Sequence, residues 1–176
     1  MNPFRIASIR NIATLVFTLC YTSLVFALDS DRDQPIEIES DSAEYRENEG
    51  ITTYSGNVQM TQGSMLLRAD EIHIYAADGE VSRMVARGNR AYYEQKPSPE
   101  AEKVVAQAKV IEYLLSDDLI NLSEQASLTQ DGATLNGNLI SYDVRKHLLR
   151  AKSNTQTNQK KERVKVVIPS LGATSK

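Results

Sequence analysis

The sequence predicts an all-β fold. Three observations carry that prediction. Apolar and polar residues alternate along almost all of 35–169, turn-forming residues punctuate the chain about every 8–12 residues, and a strand–turn–strand–turn–strand unit recurs at a fixed offset.

Taken in order, the first 27 residues stand apart. Arg5 and Arg10 precede an apolar run from Ile12 to Phe26, which ends at Val25-Phe26-Ala27. This is the pattern of a cleaved secretory signal peptide over 1–27, and the run is shorter than the ~20 residues that span a bilayer. Without it the chain has no Phe, Trp or Cys, and its aromatics are seven tyrosines. No disulfide or thiol nucleophile is then available. Eighteen basic residues face twenty-three acidic ones, a net charge of −5, which argues against a nucleic-acid partner.

An acidic segment over 28–34 leads into the folded part, expected as one domain over 35–169. Alternation then marks Ile36-Glu37-Ile38, the parity shared by Tyr54, Val58 and Met60, Ile72-His73-Ile74, Leu119 to Leu122, Ala126-Ser127-Leu128, Ile140-Ser141-Tyr142 and Val164-Lys165-Val166. Turns are expected at Asn48–Gly50, Gln62–Ser64, Ala77–Gly79, Arg87–Asn89, Ser116–Asp118 and Gln130–Gly132. Ser98-Pro99-Glu100 has the features of a helix start, but Val104, Ala106, Ala108 and Val110 alternate, so the segment reads as loop then strand. The polar stretch Ser153–Glu162 reads as a loop before a last strand at Val164–Ile168, and 170–176 as a disordered tail.

The repeat appears when the chain is slid by 68 residues, which lays Ser42–Tyr75 on Val110–Asp143 without a gap and with seven identities. Stacked similar β layers bury a continuous core and leave an open edge at each end.

Chemistry is sparse. His73 lies on the polar side of a strand and His147 in a basic turn. The carboxylate pair Asp70-Glu71 does not converge, since neighbours in a strand point to opposite faces, and Asp117-Asp118 sits at a turn. Neither an enzyme, a metal site nor a cofactor is expected. Arg68, Arg83, Arg87 and Arg90 form either a patch for anionic head groups or a solvated strand face. The apolar face is either a closed core or a groove for something greasy, and the pattern alone does not separate the two.

A family resemblance adds to this. Asp33–Ser40, Tyr54–Gly63 followed by Ala69-Asp70, Leu122–Gln130, Leu139–Asp143 and Arg163–Ser170 resemble, in order and spacing, the LptA/OstA-like family of periplasmic lipopolysaccharide transport proteins. Two features depart from the family pattern: Leu122-Ser123-Glu124-Gln125, where the family favours a Thr-Gly-Asn triplet, and the proline- and charge-rich 96–102. The resemblance implies an open, twisted antiparallel β-jellyroll of about sixteen short strands, V-shaped in section, with unpaired edges at both ends. It implies a periplasmic carrier that binds the acyl chains of lipid A. Such a carrier stacks head to tail with itself and bridges an LptC-like inner-membrane protein to the N-terminal domain of an LptD-like outer-membrane protein. By parity and by family position, the lipid-facing candidates are Ile36, Ile38, Val58, Met60, Ile72, Ile74, Tyr92, Tyr113, Leu115, Leu128, Leu135, Ile140 and Tyr142. The expected assembly edges are Gln34, Pro35, Ile36, Glu37 and Ile38 at one end and Val164, Lys165, Val166, Val167 and Ile168 at the other. The alternative is an envelope adaptor that polymerises by strand addition and carries no lipid.

Overall fold

The computed structural model describes residues 31–77, 79–98, 100–153 and 163–169. The expected signal peptide, the first part of the acidic segment, most of the polar stretch before the last strand and the tail lie outside the described residues.

The alternating segments form β1 (Glu37–Glu39), β2 (Ser42–Arg46), β3 (Ile51–Gln62), β4 (Met65–Ala77), β5 (Glu80–Gln95), β6 (Val104–Leu114), β7 (Leu119–Gln130), β8 (Ala133–Asp143), β9 (Leu148–Lys152) and β10 (Lys165–Val167). They make one antiparallel sheet in which consecutive strands from β3 to β8 are neighbours. β1 and β2 both pair with β3 on one side, and β9 and β10 both pair with β8 on the other.

The ten strands replace the expected sixteen for a physical reason. Each ladder between the long strands has a register shift near its middle: at Ser55/Val58, Arg68/Glu71, Arg87/Ala91, Gln107/Val110 and Ser123/Ala126. Bulges of this kind bend a strand without ending its hydrogen bonding. Each long strand therefore contributes to two arms, and a count by arm gives eight strands in each. The first arm runs β1, β3 to β8 and β10, and the second runs β2, β3 to β8 and β9. The turn expected at Arg87–Asn89 is one of these bends, inside β5 rather than at its end. Asp70 braces it, its carboxylate accepting the Asn89 N–H at 3.0 Å. The segment after Ser98 is a turn followed by β6, as expected.

The 68-residue repeat is visible in the backbone. β3 and β7 coincide at that offset from first residue to last. Positive φ recurs at Gly50 and Asp118, at Gly56 and Glu124, and at Asn57 and Gln125. The Gly50 carbonyl accepts the Ala76 N–H, and the Asp118 carbonyl accepts the Val144 N–H, both at 2.9 Å. The bend of β7 thus holds Glu124 and Gln125 in the left-handed region (φ 63° and 56°), where β3 has Gly56-Asn57. Only glycine, and to a lesser degree asparagine, enters that region cheaply.

One continuous core lies between the arms. Met60 and Leu128 of the first arm and Ile72, Leu122 and Ile140 of the second are all at most 1% exposed. In a single bent sheet, such burial requires the inner faces of the two arms to cover each other.

Candidate functional site

The inner face between the arms is the candidate site, and its residues fall into two groups. Val58, Met60, Ile72, Ile74, Tyr113, Leu128, Ile140 and Tyr142 are buried. Ile36, Ile38, Leu115 and Leu135 are half-buried and pack against that core from its margins.

The margins lie at the tips of the arms, away from the bends. Near the N-terminal edge, Ile36 and Gln62 of the first arm face Val81, Ser82 and Leu115 of the second across an open cleft of about 590 Å³. Near the C-terminal edge, Leu128, Leu135 and Val166 face Leu149 across a second cleft of about 320 Å³. Both volumes lie in the range that holds small-molecule ligands.

The chain entering β1 is fixed at the first cleft. A 3-10 turn at Asp31–Asp33 precedes it, and the Asp31 carboxylate accepts the Ser64 N–H, the Ser64 hydroxyl and the Gln95 amide, each at 2.7 Å. The Gln62 side chain donates to the Gln34 carbonyl at 3.1 Å. These bonds place Ile36 at the rim of the cleft.

The interior holds a few polar groups. Tyr93 donates to Gln95, and Tyr113 donates to Asp118 at 3.3 Å. Burial pushes the Tyr93 phenol well above its usual pKa, with the neighbouring Tyr113 and Tyr142 adding to the shift. Burial likewise raises Tyr142, whose hydroxyl has no hydrogen-bond partner among the described residues.

Tyr92 does not belong to this face. It sits on the outer surface opposite Arg68, donating to Glu94 at 2.6 Å. That hydrogen bond is the main cause of its raised pKa. The bend in β5 exchanges the faces: Met84 and Ala86 point inward before it, and Ala91 and Tyr93 after it. Tyr93 is therefore the inward tyrosine. The pattern Arg90-Ala91-Tyr92-Tyr93-Glu94, with both charges on the parity of Tyr92, already carried that information.

Among the described residues, the outer face shows no convergent chemistry. Glu71 lies 2.6 Å from His73 Nε2, and Arg83 stacks over Tyr75 while bonding Glu112 at 3.3 Å. Arg68 donates to Gln59 and Arg90 to Ser127, so Arg68, Arg83 and Arg90 each serve a separate partner. Of the carboxylate pairs, Asp70 holds the β5 bend, and Asp118 is bound by Tyr113 and by Arg145 at 2.9 Å. Among the described residues no group of His, Cys, Asp and Glu could hold a metal ion, and no helix is long and apolar enough to cross a membrane.

Among the described residues, both sheet edges are unpaired. The N-terminal edge is β1 together with β2, and the C-terminal edge is β10 together with β9. Sequence reasoning found the first-arm member of each edge and missed β2 and β9. Apolar side chains stand exposed on both edges: Tyr45 at 64%, Val166 at 56% and Ile168 at 73%.

Comparison with known proteins agrees with this architecture. Residues 37–147, from β1 to the turn after β8, match the family described as LptA/(LptD N-terminal domain) LPS transport protein. The lipopolysaccharide export system protein LptH of Pseudomonas aeruginosa is 33% identical over 150 residues, covering 84% of this chain and 86% of LptH. LptA of Haemophilus influenzae is 31% identical over 146 residues, covering 81% and 83%. LptA of Escherichia coli K12 is 30% identical over 132 residues, covering 73% and 70%. The crystal structure of P. aeruginosa LptH, described as the LptA-homologous periplasmic component of the lipopolysaccharide transport device, superposes with a TM-score of 0.74. Its identity is 32%, and the match covers 81% of this chain and 100% of that one.

Proposed function

From the chain's membership of the LptA/LptD N-terminal-domain family of lipopolysaccharide transport proteins, which are carriers rather than enzymes, we infer how this member works. It acts in the periplasm, reached by a cleaved signal peptide. It shelters the acyl chains of lipopolysaccharide between its arms and joins further domains edge to edge, so that the lipid passes along a bridge from inner to outer membrane. The partners at the two ends of that bridge are an LptC-like protein and the N-terminal domain of an LptD-like protein.

The observation that carries this reading is the pair of open clefts at the arm tips, each with apolar residues on both walls, set beside two open sheet edges. The middle of the interior is closed, so lipid enters at the tips, where Ile36, Leu115, Leu135 and Leu149 are only half-buried. Each methylene moved from water into such a site gains ~0.8 kcal/mol, so about ten gain roughly 8 kcal/mol before the cost of ordering the chain. Successive sites of similar affinity let the lipid move on, and the energy for direction comes from outside this chain.

Topology supports the joining. Each arm has eight antiparallel strands, an even number, so its two outermost strands run in opposite directions. A second copy in the same orientation therefore presents β1 antiparallel to β10 and β2 antiparallel to β9. Both arms continue at once, and the space between them continues with them. Backbone hydrogen bonds supply the affinity, and a contact of this kind does not close on itself.

The test is a titration of the purified protein with lipopolysaccharide, with a bilayer phospholipid of similar acyl length as control. Saturable binding of lipopolysaccharide, competed by free lipid A, is expected. Polymerisation with no saturable lipid binding would replace the carrier by the adaptor.

A further inference from the structure

The two edges carry opposite charge, and they carry it on one face. In β1, Ile36 and Ile38 lie on the inner side, packed against the core, which places Glu37 and Glu39 on the outer surface. In β2, Ala43 and Tyr45 oppose the inward Tyr54 and Thr52, which places Glu44 and Arg46 outward, bonded to each other at 3.0 Å, so Glu37 and Glu39 carry the net charge of this row. At the other end, Val166 lines the C-terminal cleft, so Lys165 points outward. In β9, Leu149 and Ala151 oppose the inward Tyr142 and Ile140, so Arg150 and Lys152 point outward. All seven charged residues are exposed. Counting these, 31–49 contains eight acidic and two basic residues, whereas 144–153 and 163–169 contain six lysines and arginines and no acid.

We propose that the joint between copies of this chain is electrostatically keyed. The net-acidic outer row of β1 and β2 receives the basic outer row of β10 and β9 of a second copy, while the inner rows close Ile36 and Ile38 against Val166, and Tyr45 against Leu149. This deepens the head-to-tail reading above and rests on it. Opposite charges facing across antiparallel strands stabilise the pair, and like charges destabilise it. The key therefore does more than add affinity. It rejects the two alternative joints, acidic edge on acidic edge and basic edge on basic edge, which open backbone hydrogen bonds alone would permit. It also steers encounter, because the field of each edge attracts the other over about a Debye length. The inner row is apolar in every joint, so direction is written in the charges.

The full chain without its signal peptide is measured by sedimentation, with Glu37→Lys/Glu39→Lys reversing one edge and Lys152→Glu/Lys165→Glu reversing the other. These side chains are exposed, and unchanged thermal melting confirms that each variant folds. The native chain is expected to form concentration-dependent oligomers that weaken about tenfold from low to high salt. Each variant alone, now with two edges of one sign, is expected to lose at least as much. An equimolar mixture of the two variants is expected to regain assembly as an alternating chain. A native chain that stays monomeric at low salt and high concentration overturns the head-to-tail reading itself. A native chain that assembles, together with variants that assemble as well as it does at any salt, overturns only the charge key.

Discussion

Trimming the inner face should separate residues that hold the fold from residues that hold lipid. Ile140 and Leu122 are 0% exposed. Truncation of either to alanine leaves a cavity and costs about 2–5 kcal/mol. At 2–4 °C per kcal/mol for a domain of this size, melting should fall by roughly 4–20 °C. Leu115 sits half-buried at the rim of the larger cleft. Leu115→Ala removes three carbons, worth ~2.4 kcal/mol if fully buried and so about 1 kcal/mol here. If an acyl chain covers the remaining half, binding loses a further ~1 kcal/mol, a fall in affinity of roughly fivefold. Ile36→Ala should behave in the same way. Thermal melting and lipopolysaccharide titration on the four variants read both quantities. The reasoning is refuted if Leu115→Ala and Ile36→Ala lose stability like Ile140→Ala and bind lipid like the native protein, because the cleft would then be ordinary core.

Three further outcomes follow from the geometry. Glu124→Gly relieves a left-handed residue at the β7 bend and should stabilise the fold by about 1 kcal/mol, whereas Gly56→Ala at the matching bend of β3 should destabilise it. An added Cβ at Gly56 would lie 2.2 Å from the Asp41 carboxylate, and melting temperatures measure both variants. On the acid side, the Lys103 ammonium holds Glu94 below the usual carboxylate range, and Lys146 does the same for Asp143. Their contribution is present above the ordinary carboxylate pKa and lost as pH falls through the lowered values, so melting against pH should decline there, less steeply in Lys103→Ala. On the alkaline side, the buried Tyr93 resists ionisation when folded. Stability should fall as pH rises above about 10, the value of free tyrosine, and Tyr93→Phe should flatten that limb.

Alternation and turn chemistry made the β class and most strand positions legible in the sequence. The repeat was legible too, because its identities mark positions that the geometry requires twice: Leu67 and Leu135 on one inner row, and Ile72 and Ile140 on the other. The bends were not legible as bends. Arg87-Gly88-Asn89 has the composition of a turn, but β5 pairs with β6 on both sides of it, and the distant Asp70 carboxylate binds the Asn89 N–H, so it is a kink within the strand. A bend can exchange the inner and outer faces, so an error there carries to every residue beyond it, as with Tyr92 and Tyr93. The split of the inner face into closed core and open rim was equally hidden. Ile36 and Ile140 are alike in a local pattern, and their difference lies in how far each stands from the arm tips.

The most direct test of the central claim is site-specific photo-crosslinking in cells that make lipopolysaccharide. A photoreactive residue is placed at Ile36, Leu115 or Leu135 on the cleft rims, and at Tyr92 or His73 on the outer face as controls. Lipopolysaccharide adducts at the three rim positions and none at the two controls are the predicted result. Equal labelling at all five positions, or none at the rims, would contradict a lipid path between the arms.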